Sequence, residues 1–120
     1  MRVTGIDARK LVREGRGANF VVFIYEGGDA PNASWSVDSY LLTDTDLPHV
    51  RHWLRQNLPV DSCWCLGVVL DPALPTAESD VNVRWVVGAD VLNMAPRHWS
   101  STERRMVEEM LARRHRVALP

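Results

Sequence analysis

The sequence predicts an α+β fold: a two-layer sandwich in which a four-stranded mixed sheet carries its helices mainly on one face, in the order α-β-β-α-β-β-α. Three observations point to it. Four short segments are rich in β-branched and aromatic residues, three others place apolar residues at helical spacing, and Gly, Pro, Asn and Asp cluster between them. At 120 residues, with 46% hydrophobic and 24% charged residues, the chain is sized for one compact domain over 1–120 that buries a core without disulfide staples.

Asp7 is placed to cap a short helix over residues 8–14, with Leu11 and Val12 inward and Gly15 at its left-handed end. Residues 20–25, FVVFIY, form a continuous apolar run bounded by turn residues, as expected of a central strand. Residues 34–43 follow as its hairpin partner. Alternation sets Trp35, Val37 and Leu41 on one side and Ser36, Asp38, Tyr40 and Leu42 on the other, so one face is only partly covered. Asp44 to Asp46 then cap a helix over residues 47–58, with Pro48 in its first turn and Asn57, Leu58 and Pro59 as the stop. Leu47, Val50, Trp53, Leu54 and Leu58 share one face of it.

Residues 63–71, CWCLGVVLD, are apolar almost throughout and predict a second central strand, followed by a proline-punctuated loop over 72–80. The last strand, 81–87, sets Val81, Val83, Trp85 and Val87 against Asn82, Arg84 and Val86. Residues 88–99 have no period and are expected to be irregular. A final helix opens on the capping box Ser100 and Glu103 and carries Met106, Val107, Met110 and Leu111 as its apolar stripe. A right-handed crossover through the middle helix makes the second and third strands run the same way. Asp44, Asp46, Asp71, Glu78 and Asp80 then fall at one end of the sheet, with Asp29, Asp61 and residues 88–99 at the other.

Charge is uneven along the chain. The formal net charge is −1, yet residues 29–80 hold eight acids against two arginines, and residues 97–116 hold six arginines against three glutamates. Such polarity can steer a partner. Residues 1–17 hold no apolar stretch of the length of a signal peptide or membrane span, so a cytoplasmic address and no membrane association are expected.

Five tryptophans in so short a chain are more indole surface than its core obviously needs. Trp53, Trp64 and Trp85 have apolar neighbours and are assigned to the core; Trp35 and Trp99 adjoin a half-covered strand and an irregular segment, and are assigned to binding. No phosphate-binding, dinucleotide-binding, nucleophile-elbow or zinc-hydrolase motif is present. His49 and His52 lie at i, i+3 without a third ligand in sequence, and Cys63 and Cys65 sit too close together for an unstrained bridge. No metal, cofactor or catalytic residue is assigned.

The expected function is a small protein-binding module, of the kind that inhibits a toxin or host-defence complex by covering its surface. Its contact residues would be Trp35, Asp38, Tyr40, Asp44, Asp46, Asp71, Glu78, Asp80 and Trp99, an acidic and aromatic face suited to a basic partner. Two alternatives stand beside it. One is an enzyme or small-ligand protein with a non-local pocket built from Tyr40, His98, Cys65 and nearby acids on separate elements. The other is nucleic-acid binding through the C-terminal arginine-rich helix, which the acidic domain opposes.

Overall fold

The computed structural model describes residues 1–10, 17–28, 34–70, 80–114, 116 and 117. Four strands, β1 (Ala18–Gly27), β2 (Trp35–Thr45), β3 (Cys63–Val69) and β4 (Val83–Val87), form one sheet in the order β2-β1-β3-β4. Helix α1 (Leu47–Asn57) connects β2 to β3, and α2 (Ser101–Ala112) follows β4. An α+β architecture is therefore present.

The sheet is antiparallel at every pairing, not mixed. Strands β2 and β3 do run the same way, as the crossover requires, but β1 lies between them and is antiparallel to both. The hairpin partner had already taken one side of β1, and the other side was open to β3.

Nor are the helices gathered on one face. Phe20, Val22 and Ile24 of β1 pack with Trp64 and Leu66 against Val50 and Leu54 of α1. Tyr25, Cys63 and Cys65 pack instead with Val107 and Met110 of α2, with Phe23 and Trp85 alongside. Alternate residues of a strand point to opposite faces, so the two helices cover opposite sides of the sheet. The two-layer arrangement is thus replaced by helix, sheet, helix. The physical reason is that β1 and β3 are apolar on both faces, and each face needs its own cover.

Local details follow the sequence closely at the helix ends. Asp46 caps α1 by accepting from the His49 backbone N–H at 3.0 Å, with Pro48 in the first turn. Ser100 and Glu103 make both hydrogen bonds of the capping box on α2. Val50 and Leu54 of α1 are buried, whereas Leu47 at its start is exposed. At the N-terminus Asp7 accepts from Arg9 N–H, but only a single 3₁₀ turn, Ala8–Lys10, is described; the rest of the expected helix over 8–14 lies outside the described residues.

Strand β4 starts at Val83, two residues later than its alternation implies, and a register irregularity opposite Leu66 and Gly67 turns Val87 to the α1 side while Trp85 stays on the α2 side. Gly67 makes this possible: a Cβ there would stand 2.1 Å from Val83 Cγ1 and 3.0 Å from the Trp85 ring. Residues 88–99 are irregular apart from one 3₁₀ turn, Pro96–His98. Among the described residues no helix is long and apolar enough to cross a membrane.

Trp64 is 1% exposed on the α1 face, and its indole N–H donates to the Arg116 carbonyl at 3.0 Å, tying the segment after α2 to the sheet. Trp64→Ala removes a large buried side chain and that bond, so it should lower stability by about 3–5 kcal/mol. Urea denaturation followed by circular dichroism measures this.

Candidate functional site

A concavity of about 570 Å³ opens on the α2 side at the end of the sheet where β1 finishes and β2 begins. Trp35 and Trp99, far apart in sequence, both line it, with Leu92 and Met94 from the irregular segment and Leu111 and Arg114 from α2 and the turn beyond it. Its volume falls within the range of small-ligand sites, roughly 300–1,000 Å³.

Each wall is fixed by a specific contact. Gly28 directly follows β1 with φ +77°, and a Cβ on it would clash with the Trp35 ring, so the indole rests against bare backbone that only glycine provides. The guanidinium of Arg114 lies 5.5 Å from the centroid of the same ring. The Trp35 ring therefore rests against Gly28 and carries a cation over it, contacts that orient both side chains. Across the groove, the Trp99 indole N–H donates to the Val91 carbonyl at 2.9 Å, and Met94 N–H closes a turn onto the same carbonyl at 3.1 Å.

The turn is anchored from beneath. The Tyr25 hydroxyl, fully buried, donates to Asp90 Oδ1 at 2.5 Å, and Asn93 Nδ2 donates to the same oxygen at 2.7 Å. Cys65 Sγ lies 3.6 Å from the Tyr25 oxygen. Burial, and secondarily the neighbouring Cys65 and Asp90, push the Tyr25 phenol well above its ordinary range. Burial likewise pushes the Cys65 thiol up to about 12. The shifts hold both groups in their neutral form, which suits them as hydrogen-bonding supports and disfavours the thiolate that nucleophilic attack by Cys65 would need.

Of the nine residues assigned to binding from the sequence, the seven that are described do not share one face. Trp35 and Trp99 come together. Asp38 and Tyr40 lie on the opposite side of the sheet, where Tyr40 meets Trp53 edge to face with centroids 4.9 Å apart. Asp44 and Asp46 stand at the far end of β2; Asp80 is at that end too, but beside the outer strand β4, three strand spacings of about 4.8 Å away. Asp46 is occupied as the helix cap and pairs with His49 Nδ1 at 2.6 Å, and the His49 backbone N–H is the main reason its carboxyl is held below the usual range. Asp71 and Glu78 lie outside the described residues.

The enzyme constellation does not assemble either. Tyr40 and Cys65 are on opposite faces of the sheet, and His98 is exposed, accepting from Arg97 Nε at 3.2 Å. Among the described residues no group of three or more His, Cys, Asp or Glu is placed to hold a metal ion. The C-terminal arginines are partly engaged: Arg113 lies 5.7 Å over Trp64, Arg114 lies over Trp35, and Arg104 donates to the Pro96 carbonyl at 3.4 Å.

Sequence reasoning missed Gly28, Leu92, Met94 and Arg114 as groove residues and assigned Leu111 wholly to the core. The Gly27–Gly28 pair just before the hairpin was a usable signal, because adjacent glycines permit close approach of a large ring. Leu92 and Met94 carry no local signal, since only the fold sets them opposite Trp35.

Because the folded Cys65 thiol titrates above its ordinary value of 9.0, the unfolded chain loses that proton first, and Tyr25 acts in the same direction. Stability from these groups is complete below about pH 9 and is lost as pH rises toward 12. The urea midpoint should therefore fall over that window, and Cys65→Ala should flatten the fall. Compared with protein-family models, curated proteins and solved structures, the chain matches none.

Proposed function

We propose that this protein is a protein-binding module that acts by covering part of a partner, and that the Trp35–Trp99 groove is its contact. The observation that supports this most is convergence: the two tryptophans left over after the core was assigned line one groove, together with an arginine. Trp and Arg are the residue types that most often dominate binding energy, and they do so in pockets ringed by less critical contacts. The groove's walls are hydrogen-bonded to the core through Tyr25, Asp90 and Trp99, so little ordering entropy is lost on binding. Inhibition of a toxin or host-defence complex is one form such occlusion would take.

The acidic residues at the far end of the sheet are outside this contact, and they are left with a steering role over distance. Nucleic-acid binding is less well supported, because the guanidinium groups of Arg113 and Arg114 lie on indole rings.

Leu111 is 36% exposed at the groove, so Leu111→Asp should leave the fold intact while placing a charge in the contact. The tagged wild type should retain one stoichiometric protein from its native lysate, and Leu111→Asp should lose it. Asp44→Asn with Asp46→Asn, which keeps a capping oxygen, should retain it. Loss from the double variant alone would move the contact to the acidic end.

A further inference from the structure

We infer that a second copy of this chain pairs with the outer edge of β2, antiparallel and about a twofold axis at Ser39, joining two four-stranded sheets into one continuous sheet. This stands independently of the groove and its occupant.

The two edges of the sheet are built differently. At one edge β4 is five residues long, carries Arg84 and has a register irregularity, all features that blunt an edge against an added strand. At the other edge β2 is eleven residues long and holds no Lys, Arg or Pro. Its register with β1 is unbroken from Trp35 to Leu42, and the chain leaves the regular conformation only at Asp44, φ +50°. Asp38, Ser39 and Tyr40 are exposed in succession, so the middle of the strand lies open. Among the described residues no strand pairs with that edge, which presents a row of backbone N–H and C=O groups ready for one.

The side chains of β2 select its own copy as the complement. A twofold axis normal to the sheet joins each face to its like, so residues that meet across it are an even number of positions apart. An axis at Asp38 or at Leu41 sets Asp38 against Asp38 or against Asp44, and like charges directly opposite are destabilising. An axis at Tyr40 sets the half-buried Val37 and Leu41 against Thr43 and Ser39. The axis at Ser39 is the midpoint of the regular stretch 35–43; it sets Val37 against Leu41, Asp38 against Tyr40 and serine against serine. The stretch 35–43 then pairs with its copy through about nine backbone hydrogen bonds. Both tryptophan grooves open on the same face of the joined sheet, with the two Trp35 positions about 27 Å apart along the strands at about 3.4 Å per residue.

Sedimentation velocity on the full chain over a concentration series tests this. The wild type should form a dimer of the 13.6 kDa chain. Ser39→Lys, at an exposed position, should keep the circular dichroism spectrum and raise the dimer dissociation constant about fivefold or more, because two ammonium groups then lie opposite each other. Added salt should narrow that gap. Cross-linking reads the register. Ser39→Cys should oxidise to a disulfide-linked dimer, since opposite Cα atoms about 4.5–5.5 Å apart suit the bond, whereas Leu41→Cys lies well along the strand from its own counterpart and should not. The wild type, with Cys63 and Cys65 buried, is the control. A wild type that is monomeric at every concentration, a Ser39→Lys dimer as tight as the wild type, or cross-linking by Leu41→Cys as efficient as by Ser39→Cys overturns the inference. The first of these is the result given by an edge reserved for a strand of another protein.

Discussion

Burial of β1 from both sides is the constraint on which the rest of the structure depends. Its side chains alternate, Phe20, Val22 and Ile24 to one face and Val21 and Tyr25 to the other, and all of these are nearly inaccessible. One helix cannot cover both faces. The chain therefore lays α1 on the first face directly after the hairpin, and must pass the end of β4 to lay α2 on the second. The irregular residues 88–99 are that passage. They run past the end of the sheet where β1 leaves off and β2 begins, and this is how they come to face Trp35 across a groove.

The tryptophans record the same constraint. Trp64 sits at 1% exposure on a strand buried from both faces, and Trp85 packs across Gly67 on a side that glycine leaves open. Trp35 begins the outer strand β2, paired with β1 on one side only, and its half-buried ring meets Gly28 and the guanidinium of Arg114. Trp99 spends its N–H on Val91 and leaves ring surface at the groove. Position in the sheet thus separates indoles that hold the fold together from indoles that remain partly available. The Tyr25–Asp90 and Asn93–Asp90 bonds link the two groups, since they fasten the groove's turn to the central strand.

The parts of the fold written in short-range chemistry were legible in the sequence. Asp46 and Ser100 announce the starts of both helices, the run 20–25 announces the central strand, and the common direction of β2 and β3 follows from one crossover rule. What was not legible depends on distant pairing. Nothing near residues 18–27 says that β3 will take the open side of β1, so the sequence by itself reads as a mixed sheet. Apolar character on both faces of β1 and β3 was visible, and it should have required cover on both sides; the helices were placed on one. The candidate site shows the same division. Trp35 and Trp99 were found because surplus indoles next to incomplete cover can be counted, but Asp38 and Tyr40 were grouped with Trp35 on sequence proximity although strand alternation sends them to the opposite face.

The most direct test of the groove as the contact is a nitrogen–proton correlation spectrum of the five indole groups, recorded with and without the protein that the wild type retains. Binding at the groove moves the Trp35 and Trp99 signals and leaves those of Trp53, Trp64 and Trp85 in place. Movement of Trp53, on the opposite side of the sheet beside Tyr40, with Trp35 and Trp99 unmoved would contradict the account.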